Sequence, residues 1–293
     1  MGHATLRSGD LEAVIGDNAA AGAHRAGYNG IWSLRHRKST RNTFVPAVAG
    51  LNLEHVFNGE TEFRNPDTFF EPRRAAMTFS RMGEHGAQLH QPPTPHFHVE
   101  SWTRFTLRAP HYLDFEFRCK AHRHSHPRGW FGLFWASYMN APEDKSMYFP
   151  GGWRRGEALW SQLCTQEHND ESTVRHFDDE LKLEFAPQSR DALFKNASRL
   201  RYAQPYFYGH IDDMVFLMMF DRSEGIRFTH SPSGGGADND AKTTHPAWDF
   251  QFLIPKYEVM KEYSFRACAV LRPRCSRREI AEEYDAWRRA LPK

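Results

Sequence analysis

The sequence predicts an all-β protein, a single large sandwich closed by one terminal helix. Three observations predict it. Apolar and polar residues alternate in run after run, as in Tyr112–Cys119, where Leu113, Phe115 and Phe117 point one way. That period of two belongs to half-buried antiparallel strands. Turn signals stand between the runs at Asn58-Gly59, Pro92-Pro93, Gly151-Gly152 and Gly234-Gly235-Gly236. Only the tail has helical spacing.

Leu11–Ile15 opens the series and ends in the turn-like Gly16-Asp17-Asn18. Gly27–Arg35 and Thr43–Val48 lead into Leu51–Phe57, and Trp102–Leu107 alternates like Tyr112–Cys119. Trp130–Tyr138, Leu181–Phe185, Met214–Phe220, Ile226–His230, Trp248–Ile254 and Tyr263–Leu271 complete it. Roughly a dozen strands of this kind suit a sandwich. In the tail, Ser276 with Glu279 three residues later forms a capping-box pattern. Ile280, Tyr284, Trp287 and Leu291 then make one apolar stripe, so a helix over 276–291 should dock on a sheet. No repeat or long linker interrupts the chain, and residues 1–293 read as one domain.

Composition excludes several classes of function. With 38 basic and 36 acidic residues among 293, the formal charge is +2, too balanced for a nucleic-acid partner. No stretch approaches about 18 uninterrupted apolar residues, so no membrane span is expected. The N-terminus lacks a basic start followed by an apolar run, and a cytoplasmic location is the expectation. Cys119, Cys164, Cys268 and Cys275 form no CxxC pair, which excludes zinc-ribbon and thioredoxin-type readings. The chain is rich in histidine (17) and in aromatics (8 Trp, 10 Tyr, 23 Phe).

The histidines concentrate in three segments. In the first, His90, His96, His98 and Glu100 lie close together, and an extended chain would put His96, His98 and Glu100 on one face. Such a face could hold a divalent metal, or its imidazoles could transfer protons. The second, His122, His124 and His126, has no acidic neighbour and reads as an exposed loop. The third, from His168 to Glu180, mixes His168 and His176 with Asp170, Glu171, Asp178 and Asp179. It is a polar loop with the parts of an acid–base pair. Further on, Asp249 and Gln251 alternate with Trp248 and Phe250, so acid and amide share one strand face. An acid on an inner sheet face is costly unless it is paired or lines a cavity, which makes Asp249 the best single catalytic carboxylate. There is no GxSxG elbow, GxGxxG, Walker loop or HExxH.

The order of these residues resembles the aldose 1-epimerase (galactose mutarotase) superfamily. The stretches GIWSLRHR and AGLNLEHVFNGE resemble its entry into the fold. Arg73-Arg74, a loop histidine (His90 or His96) and Trp102 resemble its order of arginine, sugar-site histidine and tryptophan. Ser137-Tyr138-Met139-Asn140 resembles its HPYFN segment, with Ala136 where the catalytic histidine would stand. Asp249-Phe250-Gln251 resembles its ETQ stretch, with Asp for the catalytic Glu.

The resemblance implies a galactose mutarotase-like β-supersandwich and a sugar-sized cleft. The expected function is acid–base chemistry on a sugar or sugar derivative, of epimerase, lyase or hydrolase type. Asp249 would be the base, and His96 or His176 the acid. Arg74, His90, Trp102, Trp135, Tyr208, Trp248 and Gln251 would bind the substrate. No cofactor is expected, and a homodimer is left open. Two alternatives stay open as well: a sugar-binding protein without chemistry, and a metal enzyme built on His96, His98 and Glu100.

Overall fold

A computed structural model describes residues 2–60, 65–156, 159–187, 189 and 193–291. A small antiparallel sheet comes first, from β1 (His3–Ser8), β2 (Leu11–Gly16) and β3 (Gly30–His36). Then follow β4 (Asn52–Phe57), the short helices α1 (Pro66–Phe69) and α2 (Glu71–Arg74), β5 (Thr78–Met82), β6 (Gly86–Gln91), β7 (Val99–Arg108), β8 (Tyr112–Ala121) and β9 (Trp130–Ala136). The middle of the chain supplies β10 (Met147–Gly152), β11 (Trp160–Leu163), β12 (Thr173–His176), β13 (Ala197–Tyr202) and β14 (Tyr206–Ile211). The rest supplies β15 (Met214–Phe220), β16 (Ile226–Ser231), β17 (Ala247–Pro255), β18 (Tyr263–Pro273) and α3 (Arg277–Ala290).

The large sheet runs β4-β9-β17-β16-β12-β13-β10-β14-β15-β18-β8-β7-β6-β5, with β11 paired to β10. It folds over on itself. Phe115 of β8 meets Trp135 of β9 at 6.1 Å, and Phe220 of β15 meets Phe250 of β17 at 4.9 Å, although neither pair of strands is adjacent in the sheet. Aromatics from the two halves therefore share one sandwich core. Edge-to-face and stacked pairs there add to simple area burial.

The alternation read at Asp249 is realised in the register. Asp249 faces Thr229 and Gln251 faces Arg227 across β16. Trp248 and Phe250 turn the other way into the core. Asp249 and Gln251 thus lie on the opposite face of this sheet, where the candidate site forms.

The helix forms as the sequence predicts. Ser276 caps it, with the reciprocal Glu279 bond of a capping box. Ile280, Tyr284 and Trp287 are buried against Tyr206, Val215, Leu217 and Val270. Two expected strands do not form. Thr43–Val48 is irregular, touching Met139 through a single bridge at Phe44. Pro46 has no N–H to donate to a ladder, and Ala47 has φ of 69°. Leu181–Phe185 is irregular too. Its alternation serves another purpose, since Leu181, Leu183 and Phe185 pack as a strap over the apolar patch of Phe57, Trp130, Phe134 and Leu253.

Candidate active site

A cavity of about 330 Å³ opens where β4, β9 and β17 lie side by side. Its polar lining comes from Glu54, His55, Tyr138, His168 and Asp249, and its apolar wall from Phe69, Phe70, Phe134 and Phe194 among others. A mostly apolar hollow with a few convergent polar groups is the common form of a small-molecule site, typically about 300–1,000 Å³.

Asp249 is 1% exposed. Its Oδ1 accepts the backbone N–H of Ser137 at 2.9 Å. Burial pushes its carboxyl well above the usual carboxylate range, and the nearby Glu54 charge pushes it further. Glu54, on the irregular pairing between β4 and β9, accepts the Tyr138 hydroxyl at 2.6 Å. Its other oxygen lies 3.4 Å from the Arg73 guanidinium and 3.6 Å from His55 Nε2. Arg73 is fixed in turn by the Gly27 carbonyl at 2.7 Å and by the Tyr28 ring, 3.9 Å below it.

His168 enters from the loop before β12. Its Nδ1 lies 2.9 Å from Ser231 Oγ. Burial holds its imidazole below the ordinary histidine value, partly offset by Glu54. His55 is held down in the same way, with Nδ1 at 2.6 Å from the Phe69 carbonyl. The cavity therefore pairs a carboxyl biased toward its protonated form with an imidazole biased toward neutral. Groups whose environments push them in these directions supply an acid and a base near neutral pH.

No family model matches the sequence, and no curated protein matches it. Solved structures do. The galactose mutarotase related enzyme of Lactobacillus acidophilus superposes with a TM-score of 0.53 at 12% identity, covering 92% of this chain and 97% of its own. The aldose epimerase homologue of C. elegans gives a TM-score of 0.50 at 8% identity, covering 93% and 99%. The chain has the galactose mutarotase-like fold. At these identities the likeness carries the architecture, and the chemistry has to be argued from the residues.

Within this mutarotase-like frame, two positions that the resemblance singled out meet at one cavity. Asp249 and Ala136 both line it. His168 lines the same cavity from a different part of the chain. The sequence offered His168 only as one member of a polar loop. Glu54 and Tyr138 were given no role: Glu54 lies in the buried run Asn52–Phe57, which has no alternation to expose it, and Tyr138 lies just past the end of β9.

The other expected site residues fall elsewhere. His96 is exposed in a turn, and its backbone N–H donates to Glu71. His176 lines a different hollow, with Asp179, Leu181 and Leu253. Arg74 pairs with Asp67 at the surface, while Arg73 beside it reaches Glu54. His90 stacks on Trp102 at 5.1 Å and bonds Glu100 at 2.9 Å. Trp102 also carries Arg118 over its ring at 4.2 Å and lines a separate hollow with Gln88, Arg104 and Glu116, away from the Asp249 cavity.

Four expected ligand contacts are corrected by burial. Trp135 and Trp248 are wholly inside the core, where Trp135 stacks on Phe250 at 4.9 Å and Trp248 Nε1 donates to the Lys145 carbonyl. Tyr208 lies beneath α3 and accepts from Arg277. Gln251 is fully buried and donates to Thr173 and Thr229. None of the four lines the cavity that Asp249 lines.

The shared face of His96, His98 and Glu100 is also corrected. The chain turns at 95–97, and β7 begins only at Val99. His98 takes a left-handed φ of 53° and bonds Ser125. Glu100 is engaged by His90, His122 at 2.7 Å and Lys120 at 3.2 Å. Among the described residues no group of three or more potential ligands is placed to hold a metal ion.

Proposed function

We propose that the protein acts on a sugar or sugar derivative by proton transfer in the Asp249 cavity. Asp249 is the proton donor, which reverses the role of base that the sequence suggested. His168, kept neutral and oriented through Nδ1 by Ser231, is the acceptor. Glu54, steered by Tyr138 and Arg73, accepts a substrate hydroxyl and stabilises positive charge that develops on the imidazole. The aromatic wall of Phe69, Phe70, Phe134 and Phe194 covers the apolar face of a sugar ring and limits water. The observation that carries this reading is that Asp249, Glu54 and His168 line one cavity of ligand size.

The test is anomer interconversion and binding, measured by proton NMR for a panel of aldoses, uronates and their short oligomers. Catalysis by wild-type protein supports the reading if Asp249→Asn and His168→Gln each slow it by a factor of roughly 10²–10⁴, the usual contribution of general acid–base catalysis. Binding without turnover, equally strong in both variants, would instead identify a sugar-binding protein. Neither binding nor turnover across the panel would remove the sugar reading.

A further inference from the structure

The sheet face that carries Asp249 also carries a row of arginines. Register places Gln251 of β17 opposite Arg227 of β16, Arg227 opposite Arg175 of β12, and Arg175 beside Arg201 of β13. Residues directly opposite one another share a face, and like charges in that arrangement are destabilising. Among the described residues only one of the three guanidinium groups bonds a carboxylate. Arg227 binds Asp179 with two donors, at 2.6 and 3.1 Å, and gives a third bond to the Leu181 carbonyl. Arg201 meets only uncharged acceptors, the carbonyls of His176 and Asp179.

Arg175 has neither kind of partner. No hydrogen bond or ion pair of its side chain exists among the described residues, and its Nε is buried without an acceptor. Burial, with Arg201 and Arg227 beside it, holds the guanidinium below its ordinary value, although the nearby Asp179 and Glu180 charges pull the other way without bonding it. Around it the chain is closed. Asp179 and Leu181 cap Arg227, and the Leu193 carbonyl caps Thr173, two residues before Arg175. Arg175 itself remains half-buried. A buried donor left unmade is costly. A planar fork of N–H groups next to a second uncompensated arginine matches the two oxygens of an oxyanion.

We propose that Arg175, supported by Arg201, is a binding site for an oxyanion group: a carboxylate, sulfate or phosphate. The oxyanion completes the row by supplying the negative charge that Asp179 supplies to Arg227. The site stands apart from the Asp249 cavity, and neither reading depends on the other. Its ligand is either a free inorganic anion or the acidic group of a sugar.

The arginine Nε–H signals of the full chain, observed by NMR at constant ionic strength in chloride, test it. Sodium sulfate, D-glucuronate and D-glucose are the probes. A saturable shift of the Arg175 signal with sulfate or glucuronate, and none with glucose, is the expected result. Arg175→Gln should weaken that binding at least tenfold, and Arg175→Lys should retain part of it. Tighter binding of sulfate assigns a free anion, and tighter binding of glucuronate assigns an acidic sugar. An Arg175 signal that ignores both anions overturns the proposal, as does wild-type affinity in both variants. Absence of sugar turnover by the wild-type protein in the NMR panel, with anion binding intact, would count against the Asp249 reading alone.

Discussion

Asp249 is a carboxyl that the fold keeps away from water and next to another acid. Its folded value is raised, so its proton is bound more tightly in the native state than in the unfolded chain. That interaction is unstrained below the ordinary aspartate value and costs stability as pH rises above it. Asp249→Asn preserves the acceptor for the Ser137 N–H and removes the cost. The variant should therefore gain on wild type by up to about 1.4 kcal/mol per pH unit until the native carboxyl ionises, read from thermal melts between pH 5 and 9. A constant difference across that range would show that Asp249 is ionised in the native state. His230 has the complementary shift. Its pKa is lowered to about 4 by burial, its Nε2 donates to the Lys145 carbonyl, and its Nδ1 accepts from Thr165. Protonation must break this pattern, so its contribution is whole above the ordinary histidine value of about 6.5 and is lost as pH falls toward 4. It amounts to on the order of 3 kcal/mol, and His126, lowered to about 3, acts in the same direction. Denaturant midpoints should fall steadily between pH 7 and 4, and a flat profile would contradict both assignments.

Among the elements, α3 was legible almost residue for residue because its signals are local: a capping box, a stripe and a boundary. Removing the cap with Ser276→Ala should cost about 1 kcal/mol. Trp287→Ala, which empties a buried position against the sheet, should cost about 3–5 kcal/mol. A chemical-denaturation series reads both, and equal losses would show that the helix docks through something other than its stripe. Long, alternating strands such as β8 and β18 were equally legible. Strands β12, β13 and β14 were not, because polar and aromatic residues there break the period of two. Leu181–Phe185 misled for the opposite reason. It alternates because one side packs on Phe57 and Trp130, and this needs no strand partner. At the site, Asp249 could be found because strand alternation marks which face a residue takes. Glu54 and His168 could not, since an irregular pairing and a loop place them, and neither leaves a periodic trace.

At the scale of the whole molecule, the folding over of one long sheet joins these parts. The sandwich core takes Trp135, Trp248 and Phe250, and this explains why the aromatic excess in the sequence supplies so few ligand contacts. The opposite face of β17, β16 and β12 keeps the polar residues, including Asp249, Gln251, Arg227 and Arg175. The strap around Leu181–Phe185, with Leu193 and Phe194, closes over that face and completes the cavity wall. Phe194 stacks on Phe57 at 4.1 Å, so Phe194→Ala should open the cavity to water. Its expected signature is faster hydrogen exchange at the Ser137 amide, with the α3 amides unchanged. The mutarotase-like fold fixes where such a cavity forms, and the side chains decide its chemistry. The most direct test of the central claim is the protonation state of Asp249 at neutral pH, read by infrared or carbon-13 spectroscopy as the difference between wild type and Asp249→Asn. A neutral-carboxyl signal that persists above pH 7 is the expected result; a carboxylate signal that titrates near pH 4 would contradict it.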